Sequence, residues 1–458
     1  MRTSMGERTR RDFLKMIGVA AGSLMPPGLA SGKKERRRPN VLLIFTDDQG
    51  TIDLNCYGAK DLHTPNLDRL AREGTRFTQF YVGAPVCSPS RAALMTGRYP
   101  QRAGVPGNVS STKGHAGMPT EQVTIAEMLK SAGYATGHVG KWHLGYTPET
   151  MPNGQGYDYS FGHMGGCIDN YSHFFYWQGP NRHDLWRNGE EIWRDGEFFG
   201  ELMVDECKKF IDENRTNPFF LYWAINMPHY PLQGTEKWRK KYKHLDAPRR
   251  MYAAFVSTAD EMIGNVVGHL EKLGLREDTI IIWLSDHGHS VEQRTFGGGG
   301  SSGDFRGHKF TLWEGGIRVP CIVSWPGRVP QNAVRDQMAI SIDWMPTIAQ
   351  YCNVRKHEPK IDGKSIVSII ESEDAPSPHK VLHWETGKHW AVREDDWKLV
   401  HDGPATDYKG RQIAEVKDFL SNMTEDTTET KNLAESHTDV VKRLTKLHNE
   451  WVRERQNQ

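Results

Sequence analysis

The chain of 458 residues has a formal net charge of +1 and six cysteines, a composition that excludes disorder and a disulfide scaffold and leaves room for one large core or two domains. The first thirty residues hold five Lys/Arg against two Asp/Glu, leaving 53 basic and 55 acidic groups in the rest. That near-balance disfavours a nucleic-acid partner.

Residues 1–30 read as an export signal. Arg10 and Arg11 in "TRRDFLK" precede a weakly apolar run from Met16 that ends in "GLASG", the order of a twin-arginine signal cleaved after Ala30. The run contains Gly18, Gly22, Pro26 and Pro27 and falls short of the roughly 20 apolar residues of a spanning helix. No later segment qualifies. The expectation is a protein exported by the twin-arginine machinery, periplasmic or secreted, without stable membrane insertion. A basic linker, 31–38, follows.

"PNVLLIFTDDQG" (39–50) is a continuous apolar run ending in acids, the pattern of a strand buried on both faces of a parallel sheet with a functional loop at its carboxyl end. Similar runs occupy 135–140, 218–227, 279–288 and 319–327. Helical patterns lie between them at 64–74, with Thr64 as N-cap, at 124–134, 200–214 and 249–274. The glycine-rich stretch 297–303 lacks the Lys-Ser/Thr ending of a P-loop and reads as a flexible loop. From Ala375 short Trp-rich runs precede a helical pattern at 437–455. The predicted fold is α/β: a large mixed, mostly parallel sheet with helices on both faces in a catalytic domain, 39–374, and a small antiparallel sheet with one helix in a C-terminal subdomain, 375–458.

Polar residues cluster after the strands. Asp47 and Asp48 follow the first, and Asp286 with His287 follows the strand at 279–285. In a parallel sheet these ends share an edge, so three carboxylates converge there, a set suited to Ca²⁺ or Mg²⁺ more than to zinc. The cysteines form no C-x-x-C pair, which also argues against structural zinc, and with Cys87 reserved for chemistry at least one of the other five stays free. Lys141 and His143 in "GKWHLG", His229 in "NMPHYP" and Lys309 in "RGHKFTLWEGG" bring cations and imidazoles to the same edge, a pocket for a tetrahedral anion. Cys87 in "VCSPSR" has two readings. One is a small buried residue at a helix start, capped by Ser88 or Ser90 with Pro89 in the first turn; the other is a thiolate activated by the helix N-terminus and Arg91.

The stretch "CSPSR" matches the C-x-P-S-R signature of type I sulfatases, in the alkaline phosphatase superfamily. "PNVLLIFTDDQG", "CSPSRAALMTGRYP", "GKWHLG", "SDHG" and "GHKFTLWEGGIRVP" resemble sulfatase blocks in family order, and "LSNMTEDTTETKNLA" resembles the family's C-terminal subdomain. The resemblance implies that a formylglycine-generating maturation enzyme converts Cys87 to formylglycine. Hydrated, that aldehyde attacks sulfur through one hydroxyl and expels inorganic sulfate through the other, a release that a thiol cannot provide. It further implies that Asp47, Asp48, Asp286, His287 and residue 87 hold Ca²⁺, with Mg²⁺ the lesser alternative, and that Arg91 supports residue 87. Lys141 and Lys309 would neutralise the sulfuryl oxygens, His143 would take the proton during elimination, and His229 would bind or protonate the leaving oxygen. His308 is a further candidate substrate contact. His287 departs from the pattern, since many members have Asn there.

The segment 162–186, dense in aromatics, His and Asn, suits stacking on sugar rings or packing on itself. It loosely resembles that of galactose and N-acetylgalactosamine sulfatases, which makes a sulfated glycan the expected substrate. The rivals are a phosphoester or phosphonate hydrolase of the same superfamily and a metal-dependent glycan-binding protein with Cys87 unmodified.

Overall fold

The computed structural model describes residues 38–177, 180–354, 360–403 and 416–456. The expected export signal, 1–30, and all but the last residue of the linker lie outside them. The strand Asn40–Thr46 is buried throughout, and its alternation divides the interior. Val41, Leu43 and Phe45 face one apolar cluster, Leu42 and Ile44 the other, as the period of two requires when both faces are covered.

Parallel partners flank it. Thr279–Ser285 lies on one side and Phe219–Ala224 on the other, followed by Ala135–Lys141 and Tyr159–His163. The register positions the chemistry. Thr46 pairs with Ser285 and Ala224 with Gly140, so Asp47, Asp286 and Lys141 emerge side by side at one edge. Phe199–Asn214 and Arg249–Lys272 pack on one face. Cys87–Thr96, Ile125–Ser131 and Trp344–Tyr351 pack on the other. The expected mixed, mostly parallel sheet is therefore present, ten strands wide.

Three local expectations are corrected. The run at 319–327 yields Cys321–Ser324, which pairs antiparallel with Thr279–Ser285. Between these two strands the only helical turns are two short ones, at 293–295 and 314–317, and without a crossover the chain returns in the opposite direction. Thr64 occupies the N-cap position of Pro65–Arg72, but its side chain does not cap it; its hydroxyl accepts from the Asn55 amide at 3.0 Å. Asp260, from the long helix, takes the free amides of Asn66 and Leu67 at 3.2 and 2.8 Å, a cap worth about 1 kcal/mol. The glycine-rich loop is tied down, for Ser301 N donates to Asp53 at 2.7 Å and Arg249 donates to the Gly299 carbonyl at 2.8 Å. A Cβ at Gly50 would stand 2.3 Å from the Ser301 carbonyl oxygen, so only glycine permits this approach.

The small sheet contains Val381–Thr386, His389–Glu394, Trp397–His401 and Asp418–Asn422, all antiparallel, with Thr438–Gln456 against it. Trp384 donates its indole N–H to the Val82 carbonyl at 2.8 Å, and Trp313 meets Phe419 edge-on at 5.1 Å. A buried ionic cluster completes the junction. Lys398 Nζ lies 2.8 Å from Glu314 Oε1 and 2.9 Å from Glu429 Oε1, all three side chains fully buried. Glu314 also receives Arg318 at 3.1 Å and the Tyr81 hydroxyl at 2.8 Å.

Candidate active site

Three non-glycine residues at the sheet edge adopt the left-handed region: Asp48 with φ 64°, His143 with φ 56° and Phe310, beside Lys309, with φ 72°. Such conformations cost energy and mark places where the fold directs a side chain. Asp48 N donates to Asp286 Oδ1 at 3.1 Å, locking the two strand ends together. Lys309 N donates to the His289 carbonyl at 3.0 Å and Phe310 N to that of Pro85 at 2.8 Å, which ties the lysine's turn to the loop before Cys87.

Cys87 is the first residue of its helix. Neither serine caps it. Ser88 N instead donates to Asn108 Oδ1 at 3.0 Å, Ser88 Oγ accepts from Val109 N at 3.0 Å, and Ser90 Oγ donates to the Asp286 carbonyl at 2.6 Å. The expectation of a serine cap is thus corrected: both hydroxyls hold neighbouring segments. Cys87 Sγ lies 3.4 Å from His287 Nε2 and 3.7 Å from Asp47 Oδ1.

Arg91, fully buried one turn later, spans the acids from below. Its Nη2 is 3.0 Å from Asp286 Oδ2 and 3.6 Å from Asp47 Oδ2, and Nη1 donates to the Lys141 carbonyl at 3.2 Å. Lys141 Nζ donates to Asp47 Oδ2 at 2.6 Å. Lys309 Nζ stands 2.8 Å from Asp48 Oδ1.

One ligand atom each from Asp47, Cys87, Asp286 and His287 lies within 4.8 Å of the others, and Asp47, Asp48, Cys87 and His229 form an overlapping group. Electrostatics shows what this cradle wants. Burial pushes Asp48 up to about 7 in spite of Lys309, and burial, with Asp47 beside it, does the same to Asp286. Burial opposes ionisation of Asp47 too, but Lys141, His229 and Arg91 hold it well below the carboxylate range. His287 reaches about 9 against its burial because Asp286 and Cys87 face it. A proton is drawn onto the imidazole where the acids need positive charge, and a hard divalent cation among three carboxylates fits that demand. His287 Nδ1 is engaged with the Gly288 carbonyl at 2.9 Å, so a cation that displaced the Nε2 proton would meet that nitrogen's lone pair.

Above the cradle opens a cavity of about 700 Å³, lined among others by Cys87, His143, His229 and Lys309. His143 Nε2 lies 3.1 Å from the Val109 carbonyl, and its buried Nδ1 has no partner. Burial, with Lys141 and Arg91, holds this imidazole neutral well below its ordinary value. His229 Nδ1 lies 2.9 Å from the Tyr230 carbonyl, and Nε2 lies 3.8 Å from Asp48 Oδ2. Burial pushes it down as well. Cys87 is brought to about 6, since Lys141 and Lys309 outweigh its burial.

The structure therefore gathers Asp47, Asp48, Cys87, Arg91, Lys141, His143, His229, Asp286, His287 and Lys309 around one point. Lys141 is below the floor, not on the wall. His308 also stays off the wall: its Nδ1 is 2.7 Å from the Lys309 carbonyl, and its ring is turned towards His289 at 6.5 Å. Sequence reasoning missed most of the wall. Arg294 lies 3.5 Å over the Trp177 ring and 4.6 Å over that of Tyr230, and Arg182 lies 4.0 Å over Phe175. Phe175, Trp177 and Arg182 come from the aromatic-rich segment already singled out. Asn108 and Arg294 carry no motif that could have revealed them.

A family model described as Sulfatase matches residues 39–354, and one described as N-sulphoglucosamine sulphohydrolase, C-terminal, matches residues 303–457. Human arylsulfatase A is 36% identical over 366 residues, which cover 75% of this chain and 69% of the relative. Pig N-acetylgalactosamine-6-sulfatase is 36% identical over 360 residues, covering 72% and 66%. The crystal structure of Ps i-CgsB in complex with k-i-k-neocarrahexaose superposes with a TM-score of 0.82 at 29% identity, over 91% of this chain and 93% of that one.

Proposed function

The chain belongs to the sulfatase family and is a sulfuric ester hydrolase, and we propose that its substrate is a sulfate monoester on a carbohydrate of galactose or N-acetylgalactosamine type, cleaved with formylglycine made from Cys87 and one Ca²⁺. The observation that carries this reading is the convergence of Cys87, Lys309 and two neutral imidazoles on the lining of one cavity, with three carboxylates and the Lys141 ammonium packed around the same point. The sugar rests on two similarities, to the pig relative and to the carrahexaose-bound structure.

Asp47, Asp48, Asp286 and His287 would hold the ion, which supplies Lewis acidity at the sulfuryl oxygens. Formylglycine supplies a hydroxyl for attack and a second one for release. The chain's own groups do the rest. Arg91 fixes Asp47 and Asp286. The ammonium of Lys309, whose charge Asp48 secures against its burial, meets the anion directly, and Lys141 acts from below through Asp47. Nδ1 of His143 is a base free to accept a proton, and Nε2 of His229 faces the departing oxygen. No helix among the described residues is long and apolar enough to cross a membrane. A twin-arginine signal in residues 1–30 would deliver the protein to the periplasm or beyond.

Mass spectrometry of the peptide containing residue 87, from protein made together with a maturation enzyme, should show formylglycine. Unmodified cysteine with full activity would refute the mechanism. Sulfate release across a panel of sulfated oligosaccharides, with phosphate monoesters in parallel, tests the substrate; faster cleavage of the phosphates would favour the phosphoester rival.

A further inference from the structure

Two more buried imidazoles lie apart from the catalytic group. His173 and His183 belong to the segment 171–197, where Phe174–Phe175 pairs antiparallel with Arg182–His183. Each ring has one nitrogen occupied. His173 Nε2 lies 3.1 Å from the Glu197 carbonyl, and His183 Nδ1 lies 3.1 Å from Glu191 Oε1. The other nitrogen of each, His173 Nδ1 and His183 Nε2, is buried without a hydrogen-bond partner among the described residues, and the two residues are only 0% and 4% exposed. An unsatisfied buried polar atom costs about 1–3 kcal/mol, and two together call for a ligand. A ring nitrogen from each and a carboxylate oxygen of Asp195 lie within 4.8 Å of one another.

We propose that His173, His183 and Asp195 form a second metal site, for a borderline divalent ion with zinc the best match. Two imidazoles and one carboxylate form a common zinc ligand set, and water completes the tetrahedron. Calcium, which prefers six to eight oxygens, does not suit it. The outer shell is already in place. Glu191 accepts from His183 as a carboxylate behind a metal-bound imidazole does, and Trp193 stacks on the same ring at 3.8 Å and 10°. Asp195, exposed on a turn, is the ligand able to move and close the cluster to the roughly 3.3 Å ligand spacing that zinc bond lengths require. The ion would clip the turn at 195 to the hairpin. That hairpin carries Phe175 and Arg182 into the wall of the catalytic cavity, so the site would stiffen the surface that meets the substrate.

The test uses full-length protein stripped with EDTA, returned to excess CaCl₂ to occupy the catalytic cradle, and titrated with ZnCl₂ against a chromophoric chelator. The parent should bind one zinc equivalent that His183→Gln does not bind, with two imidazoles visible by X-ray absorption. Asp195→Asn, altered only at an exposed position, should retain the parent's circular dichroism and bind that zinc at least about tenfold more weakly. Equal zinc binding by the parent and both variants, or no zinc retained by the calcium-loaded parent, would overturn the proposal.

Discussion

Lys398→Met should destabilise the protein, and increasingly so as pH rises. The ammonium, at 2.8 and 2.9 Å from two glutamates, bridges both. Glu314 keeps Arg318 and Tyr81 when it is removed, whereas the Glu429 carboxylate keeps, among the described residues, the Glu314 amide at 2.7 Å. Stripping one partner from a buried pair costs about 3–5 kcal/mol, and that full cost is expected at pH 8. The pH dependence follows from Glu429. Burial raises it to about 7 even with Lys398 pulling it down, so the folded state holds this proton more tightly than the unfolded state, and its contribution falls as pH rises from about 4.5 through 7. Without Lys398 the value rises further and the fall extends to higher pH. Below it, protonation relieves the stranded charge, by about 1.4 kcal/mol per pH unit. Burial opposes ionisation of Glu314 too, but Lys398 and Arg318 bring it to about 2. Its contribution, present above about 4.5, is lost only towards pH 2, outside the window. Urea unfolding at pH 5.5 and pH 8 reads the difference, and Lys398→Met with Glu429→Gln should recover much of the loss. A loss at pH 8 below about 1 kcal/mol, or one equal at both pH values, would refute this account.

Cys87→Ala should fold normally and lose at least about 10⁴-fold in sulfate release, measured beside its melting temperature; retained turnover would remove Cys87 from the chemistry. His229→Ala should lose about 10²- to 10⁴-fold on an alkyl or sugar sulfate but much less on an activated aryl sulfate, because a good leaving group needs no proton; equal losses would assign His229 to binding alone. Chelation with EGTA should abolish activity, and Ca²⁺ should restore it more fully than Mg²⁺, as read by initial rates after back-titration. Arg91→Lys should weaken the Ca²⁺ dependence at least about tenfold, since an ammonium cannot hold Asp47 and Asp286 together.

The acids after the strands were legible because a parallel sheet delivers every strand's carboxyl end to one edge, whatever the separation along the chain. Thr46 opposite Ser285 made Asp47 and Asp286 neighbours from 239 residues apart. Caps were less legible. Thr64, Ser88 and Ser90 have the right side chains at the right positions, but distant partners, Asn55, Val109 and the Asp286 carbonyl, claim their hydroxyls. Local propensity cannot anticipate such competition. The wall of the cavity was legible only as composition, since the stack of Arg294 on Trp177 depends on a tertiary approach that no spacing encodes.

Cys87 is 2% exposed at the base of its cavity, with Asp47 and His287 against its sulfur. A small oxyanion can descend to that depth, but another protein's active site cannot. If residue 87 is converted as proposed, that burial would set a timetable: the maturation enzyme would have to meet the chain while it is still open. Twin-arginine export of a folded chain would put the whole of that work on the cytoplasmic side, before departure. On the proposed mechanism, a molecule that folded first would be structurally complete yet without its formylglycine, and the share of active protein in a preparation would record which event came first.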